Sequence, residues 1–107
     1  MSAKYWQRGD TIDYAATSAV KNGDVVSLNT RVGVAGTDIA SGEMGPVHVV
    51  GVFEFPKASG AITLGATVYY DSANKNITTT ATSNVPAGYA VAPAASADAT
   101  VLVKLLG

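Results

Sequence analysis

The sequence contains no cysteine, and only 14% of its 107 residues are charged. The lack of cysteine excludes disulfide cross-links, thiol nucleophiles and cysteine-based zinc sites. Seven basic and eight acidic residues give a formal net charge of -1. Because electrostatic binding of DNA or RNA needs a surplus of Lys and Arg, this balance excludes a nucleic-acid clamp and predicts no nucleic-acid partner.

Long apolar runs are also missing. The longest apolar stretch, Val47–Phe55, is broken by His48, Gly51 and Glu54, and a bilayer span needs about 20 apolar residues. Residues 1–10 contain charged side chains and no apolar region typical of a secretory signal. We therefore expect a protein that is synthesised in the cytoplasm, has no membrane partner, and reaches any later location by assembly.

The shortage of charge has a consequence for the surface. Globular domains carry about 25% charged residues on average, so Thr, Ser, Ala, Gly and Asn must cover much of this exterior. Such a surface loses little hydration when it is buried. We expect a partner, or further copies of the chain, to cover part of it. The alternative is that Thr-rich strands are sufficiently hydrated without charge.

Short β-branched and aromatic runs, bounded by Gly, Asn, Asp or Pro, predict an all-β fold. We expect a small single-domain β-barrel or sandwich, with residues 1–10 as an N-terminal arm or first strand and residues 11–107 as one β domain. Asp71–Asn76 is typical of a hairpin loop, and Thr37–Glu43 is the main candidate for a short helical turn. The predicted strands are Thr11–Ala15, Val25–Leu28, Val32–Ala35, Val47–Phe55, Thr67–Tyr70, Ile77–Thr80, Gly88–Ala92 and Thr100–Leu106.

A faint internal duplication is visible in the order of these runs. Asn22–Val26 aligns with Leu64–Val68, and Val32–Ala35 aligns with the segment that begins Ala87-Gly88-Tyr89-Ala90. The pattern predicts two similar β units around one core, with glycines where the backbone must turn. The alternative is that any β protein rich in Gly, Val and Ala resembles itself.

A search for catalytic groups finds little. His48 is the single histidine, and no further His or Cys exists to complete a metal site around it. The carboxylates lie mostly at predicted turns, with Asp13 and Glu54 inside strands, and turn carboxylates usually cap the backbone. No phosphate-binding loop or nucleophile elbow occurs. We therefore assign no catalytic, cofactor-binding or metal residue, and we expect no enzymatic activity.

The N-terminal stretch is the least ordinary part of the sequence. The only tryptophan of the chain lies here, close to a tyrosine and an arginine, in the segment Tyr5, Trp6, Gln7 and Arg8. These three residue types are enriched among the residues that dominate binding energy at protein interfaces. The hypothesis is that the four residues contact another protein. The alternative is that Trp6 packs under the first strand as part of the core.

Taken in order, several stretches of the chain resemble those of a known family of small phage and prophage proteins, the capsid decoration or cement proteins, formerly a domain of unknown function. The most specific stretch is Val50–Lys57. The others are Ala3–Tyr14, Val20–Val26, Val32–Ala35, Ile39–Glu43, Ile62–Asp71, Gly88–Ala92 and Asp98–Leu105.

This resemblance implies a structural role in the virion. Such proteins bind the outside of the phage head after it expands, often as trimers at local three-fold positions, and stabilise the shell. The implied partners are the major capsid protein and further copies of the chain. Two competing hypotheses remain: a carbohydrate- or ligand-binding module of a virion appendage, with Tyr5, Trp6, Tyr69, Tyr70 and Tyr89 as a stacking platform, and a small hydrolase built on His48.

Overall fold

The structure, a computed structural model, describes residues 2–106, and all of the regular secondary structure in this range is β-strand. The first and last residues of the chain, at which the expected domain bounds begin and end, lie outside the described range. The strands are β1 (Thr11–Ala15), β2 (Val25–Ser27), β3 (Val32–Ala35), β4 (Met44–His48), β5 (Val52–Pro56), β6 (Thr67–Asp71), β7 (Asn76–Thr78), β8 (Val85–Ala90) and β9 (Thr100–Leu105).

The strands form two antiparallel sheets that pack as a sandwich. Sheet I has the order β1-β4-β3-β2, and sheet II has the order β5-β9-β8-β6-β7. Sheet II curls until β7 approaches β5, where a single bridge joins Lys57 to Ile77. One bridge does not close a barrel, so the fold is the sandwich alternative of the expected all-β class.

The run expected to form one strand, residues 47–55, is divided between the two sheets. His48 at the end of β4 pairs with Thr11 in sheet I, whereas Val52 at the start of β5 pairs with Lys104 in sheet II. Gly51 lies between them with φ +128, a conformation that residues with a side chain rarely adopt. The prediction of a single strand is wrong. The apolar residues run on without a break, but the backbone leaves sheet I and enters sheet II in the middle of the run.

The candidate helical turn at residues 37–43 contains no helix. Ile39 instead forms a bridge with Val20, with reciprocal N–H···O bonds of 2.9 and 2.8 Å between their backbones. The hairpin predicted after Tyr70 is confirmed, because β6 and β7 pair through Tyr70 with Ile77 and Asp71 with Asn76.

The internal duplication is confirmed by the topology. The strand order β1-β4-β3-β2 of sheet I corresponds to the order β5-β9-β8-β6 in sheet II. β7 is an additional strand of the second copy. We call residues 11–49 unit I and residues 52–106 unit II. The bridge between Val20 and Ile39 in unit I has its counterpart between Ile62 and Ala94 in unit II.

A pair of glycines marks the correspondence most sharply. Gly33 on β3 and Gly88 on β8 occupy matching register positions, opposite Val26 and Val68 respectively. A Cβ on Gly33 would meet Val47 Cγ1 and, at 2.9 Å, the carbonyl oxygen of His48; a Cβ on Gly88 would overlap the carbonyl oxygen of Lys104. The neighbouring strand passes too close for any side chain at either position.

The single core expected from the duplication is instead divided into two clusters, one for each unit. The cluster of unit I lies on one face of sheet I, and the larger cluster of unit II lies on one face of sheet II. We call the face of each sheet that carries its own cluster the inner face, and the opposite face the outer face. Val32 and Val34, from the opposite, outer face of sheet I, are members of the unit II cluster. The two units therefore stack one behind the other, with the β2 and β3 part of the outer face of sheet I covering the core of unit II.

Candidate interaction surfaces

The N-terminal arm, residues 2–10, forms no strand and is exposed along its whole described length. Tyr5 is 80% exposed and Trp6 is 84% exposed. Gln7 Nε2 of the arm donates a hydrogen bond to the carbonyl oxygen of Thr11 at 3.5 Å. The alternative that Trp6 belongs to the core is wrong. An interface role for Tyr5, Trp6, Gln7 and Arg8 stays a prediction.

A second exposed surface lies on the outer face of sheet II. One row of side chains on this face runs across β5, β9, β8 and β6 and consists of Val52, Lys104, Tyr89 and Thr67. Leu102 lies in the next row on the same face. The ammonium group of Lys104 stands 6.0 Å from the centre of the Tyr89 ring. Sequence reasoning did not find this surface, because alternation along one strand does not show which of its two faces is covered.

Lys57, the residue after β5, is a buried lysine. Its Nζ donates hydrogen bonds to three carbonyl oxygens, those of Ala58 at 2.8 Å, Gly60 at 2.7 Å and Ser96 at 3.3 Å. The side chain therefore ties the loop after β5 to the loop before β9. Its counterpart in unit I, by the backbone hydrogen bonds of the two units, is Ala16. The residue type alone did not indicate a buried lysine.

The residues considered for catalysis do not come together as a site. His48 is half-buried at the end of β4, with its ring centre 5.8 Å from that of Phe53. Asp13 on β1 and Glu54 on β5 lie at corresponding positions of different sheets, and Glu54 accepts a hydrogen bond from Thr100 Oγ1 at 3.1 Å. Among residues 2–106, no three His, Asp or Glu side chains are grouped so as to hold a metal ion.

The tyrosine platform considered for carbohydrate binding is divided by the sheet. Tyr70 is buried in the unit II core, whereas Tyr89 projects from the outer face of sheet II. Burial raises the pKa of the Tyr70 hydroxyl, and the carboxylates of Asp24 and Asp71 raise it further. Because Tyr70 faces inward, the five aromatic residues cannot form one stacking surface.

The tip of the β6–β7 hairpin is organised by Asp71. The side chain of Asn74 donates to one carboxylate oxygen at 2.8 Å, and the backbone N–H groups of Asn74 and Ala73 donate to the other at 3.2 and 3.0 Å. The bond from the Asn74 side chain, followed by that from its backbone, lowers the pKa of Asp71. These bonds give the carboxylate a structural role in the turn.

Comparison with known proteins identifies a family for this chain, which the geometry alone does not. A family profile described as phage cement protein matches residues 6–105, which include Trp6 and all nine strands. The chain belongs to the phage cement protein family. No curated protein and no solved structure matches the chain.

Membership of the cement proteins gives the exposed surfaces a context. The family is a structural one, and this chain is a capsid-associated structural protein of a bacteriophage. Within residues 2–106 the structure contains no helix that is long and apolar enough to cross a membrane. The arm and the outer face of sheet II carry the exposed aromatic residues Tyr5, Trp6 and Tyr89.

Proposed function

We propose that this cement protein is a head decoration subunit that binds the outer surface of the phage capsid and stabilises it. It is made in the host cytoplasm and joins the virion by binding the major capsid protein. The observation that carries the proposal is the exposed aromatic arm on a family member with few charges. The chain exposes 6594 Å², roughly a fifth more than the ~5,500 Å² expected of a monomer of this mass.

The arm supplies the capsid contact in this proposal. Tyr5 and Trp6 have almost no cover from the sandwich, and large aromatic side chains provide much of the binding energy when they enter a pocket of a partner. Arg8 adds a charged group that can pair with a carboxylate of the capsid protein. Gln7 adds an amide for hydrogen bonds at the edge of the contact.

Stabilisation follows from binding one state of the shell in preference to others. A ligand that binds the expanded shell alone shifts the equilibrium towards that shell. Subunits that associate with each other on the shell gain from avidity, because each further contact is made at a high effective concentration. We include self-association in the proposal, with a homotrimer at the three-fold positions of the capsid as the arrangement.

The test is cosedimentation of the purified protein with expanded capsids of its own phage. We expect the wild type to bind and Trp6→Ala to bind at least tenfold more weakly. Leu64→Ala is the matched control, because Leu64 is an exposed apolar residue outside the arm. Absence of wild-type binding would overturn the decoration role, and equal binding of Trp6→Ala would remove the arm from it.

A glycan array separates this proposal from the carbohydrate-binding alternative. We expect no sugar to be bound, because the remaining exposed aromatic residues lie on an arm and on the outer face of a sheet rather than together in a groove. Specific retention of one glycan class, lost in Tyr89→Ala, would favour the alternative instead.

A further inference from the structure

One turn of unit I carries a chemically reactive pair of residues. Asn22 is followed by Gly23, and it is the only asparagine of the chain with a glycine after it. The backbone nitrogen that follows an asparagine can attack the side-chain amide carbon and close an imide ring. Glycine favours this step because it has no Cβ to crowd the nitrogen. The other asparagines precede larger residues: Asn29 precedes Thr, Asn74 Lys, Asn76 Ile and Asn84 Val.

Both residues of the pair are exposed in the turn before β2. The turn is closed by a hydrogen bond of 2.9 Å from the N–H of Asp24 to the carbonyl oxygen of Lys21. Gly23 is the third residue of this turn and has φ +90, a conformation that glycine adopts without strain. The residue that the turn requires is therefore also the residue that makes the preceding asparagine reactive.

Hydrogen bonds of the folded chain oppose the attack. The N–H of Gly23 donates to the carbonyl oxygen of Ala35 at 2.8 Å, and Ala35 is buried. The nitrogen becomes nucleophilic only when it loses this proton, and the Ala35 carbonyl would then face a negatively charged nitrogen without a donor. The N–H of Asn22 donates to Asp38 Oδ1 at 2.8 Å, which holds the turn from its other side. The ring therefore closes in molecules in which the turn has opened.

We propose that Asn22 is a deamidation site whose rate is set by local opening of the turn at residues 21–24. The Gly23 nitrogen bonds to Cγ of Asn22, the bond from Cγ to the amide nitrogen breaks, and ammonia leaves with the proton that Gly23 gives up. Water then adds to the imide and opens it on one side or the other, which gives aspartate or isoaspartate at position 22. Water is the co-reactant, and the inference does not depend on capsid binding.

Either product should loosen unit I. A carboxylate at position 22 lies beside those of Asp24 and Asp38, which accept hydrogen bonds from the backbone of this turn, and like charges repel. Isoaspartate also inserts a methylene into the main chain, so the N–H groups of residues 22 and 23 cannot both reach their acceptors. The turn leads into β2, where Val25 packs against the core of unit II. We therefore expect the deamidated protein to be less stable.

The same turn occurs in unit II without the reactive amide. Gly65 has φ +84, and its N–H donates to the carbonyl oxygen of Ala90 at 2.8 Å. Leu64 occupies the position that Asn22 has in unit I, and it is exposed. Leu64→Asn therefore places a second Asn-Gly pair in a turn with the same protecting hydrogen bond.

The N-terminal arm offers the opposite control. Gly9 lies on the exposed arm, and nothing lies within 4 Å of a Cβ built there. Arg8→Asn therefore places an Asn-Gly pair in a segment that the sandwich does not hold. The two variants compare a protected and an unprotected pair in one chain.

Mass spectrometry of peptides from the incubated full-length protein measures the conversion. We expect Asn22 to convert at least tenfold faster in guanidinium chloride than in native buffer at the same pH. The asparagine of Leu64→Asn should show similar protection, and that of Arg8→Asn should convert at similar rates in both solutions. Equal rates for Asn22 in both solutions would overturn the proposal. So would rapid conversion in folded Leu64→Asn, or faster conversion of Asn74 than of Asn22 in the unfolded chain.

Unfolding of the separated products gives a second readout. Ion exchange isolates the deamidated chains, because each carries one additional negative charge. We expect them to unfold at lower denaturant concentrations than the unmodified protein, with Asn22→Asp less affected than the isoaspartate form, since it keeps the length of the main chain. Asn22→Gln is the matched control. It retains an amide, needs a larger ring for the same reaction, and should neither convert nor lose stability. A deamidated protein as stable as the unmodified one would contradict the loosening of unit I.

Discussion

Sheet I and sheet II are built on one strand order, yet their surroundings differ. The β2 and β3 part of the outer face of sheet I packs against unit II, whereas Val52, Tyr89 and Leu102 on the outer face of sheet II are exposed. The inner face of sheet II is the better covered of the two, with Phe55 and Ile77 fully buried. At matched strand positions, therefore, a residue is buried where another sheet covers it and exposed where no sheet covers it.

The largest expected effect compares matched aromatic residues of the two inner faces. Phe55→Ala should reduce the free energy of unfolding by about 3–5 kcal/mol, because it leaves a cavity in the unit II core. Tyr14→Ala should cost about half as much, since Tyr14 is only half-buried. Urea unfolding at a protein concentration too low for self-association measures both. Equal losses would contradict the difference in cover between the two units.

The matched glycines give the next comparison. Gly88→Ala should destabilise the fold by about 3 kcal/mol, because the added Cβ meets a backbone carbonyl that cannot move aside. Gly33→Ala should cost somewhat less, about 2 kcal/mol, because the carbonyl oxygen of His48 lies 2.9 Å from the added Cβ rather than overlapping it, and Gly33 does not have the positive φ of Gly88. Gly9→Ala is the control, since nothing lies within 4 Å of a Cβ there. A neutral Gly88→Ala would contradict the close approach of β8 and β9.

Lys57 tests a feature that unit II has and unit I lacks. Lys57→Met keeps most of the side-chain volume but leaves three carbonyl oxygens without their donor. The expected loss of unfolding free energy is about 1–3 kcal/mol. Lys75→Met, at an exposed position in the β6–β7 turn, should change little. Thermal unfolding distinguishes the two variants. Equal melting temperatures would show that the three hydrogen bonds of Lys57 make no net contribution to the stability of the fold.

The smallest effect concerns the hairpin that is present only in unit II. The pKa of Asp71 is lowered in the folded state by its bonds from Asn74 and Ala73. A carboxylate with a depressed folded pKa stabilises the fold above its unfolded pKa, and this contribution is lost as the pH falls through the folded pKa. The loss should therefore occur below about pH 3.8, the ordinary value.

Unfolding measured across the acid range checks this expectation. Asp71→Asn should remove that part of the acid dependence, whereas Asp10→Asn, on the exposed arm, should keep it. Identical acid profiles of wild type and Asp71→Asn would show that the turn bonds do not favour the ionised form.

Part of the fold was accessible from the sequence because its signals are local. Thr11–Ala15 and Val32–Ala35 were predicted with the bounds that the structure shows, since β-branched runs between turn residues need no knowledge of partners. The hairpin tip at Asp71 was accessible for the same reason. The division of residues 47–55 was not, because the apolar pattern is continuous there and the change of sheet depends on where β1 and β9 lie.

The candidate interaction surfaces divide in the same way. The arm was recognised from its composition, because Tyr5, Trp6 and Arg8 stand together outside any strand pattern. The outer face of sheet II was missed, although Tyr89 and Leu102 were visible in predicted strands. Alternation assigns residues to two faces, but which face meets water is decided by the neighbouring sheet.

The sequence by itself determined the β class, the twofold repeat and the absence of thiol chemistry, because strand propensity, register and composition are properties of short segments. Only the tertiary structure decided that the two repeats stack one behind the other rather than close a single barrel. That outcome depends on which apolar face each sheet finds to cover, and covering an apolar face is a long-range event between residues far apart in the chain.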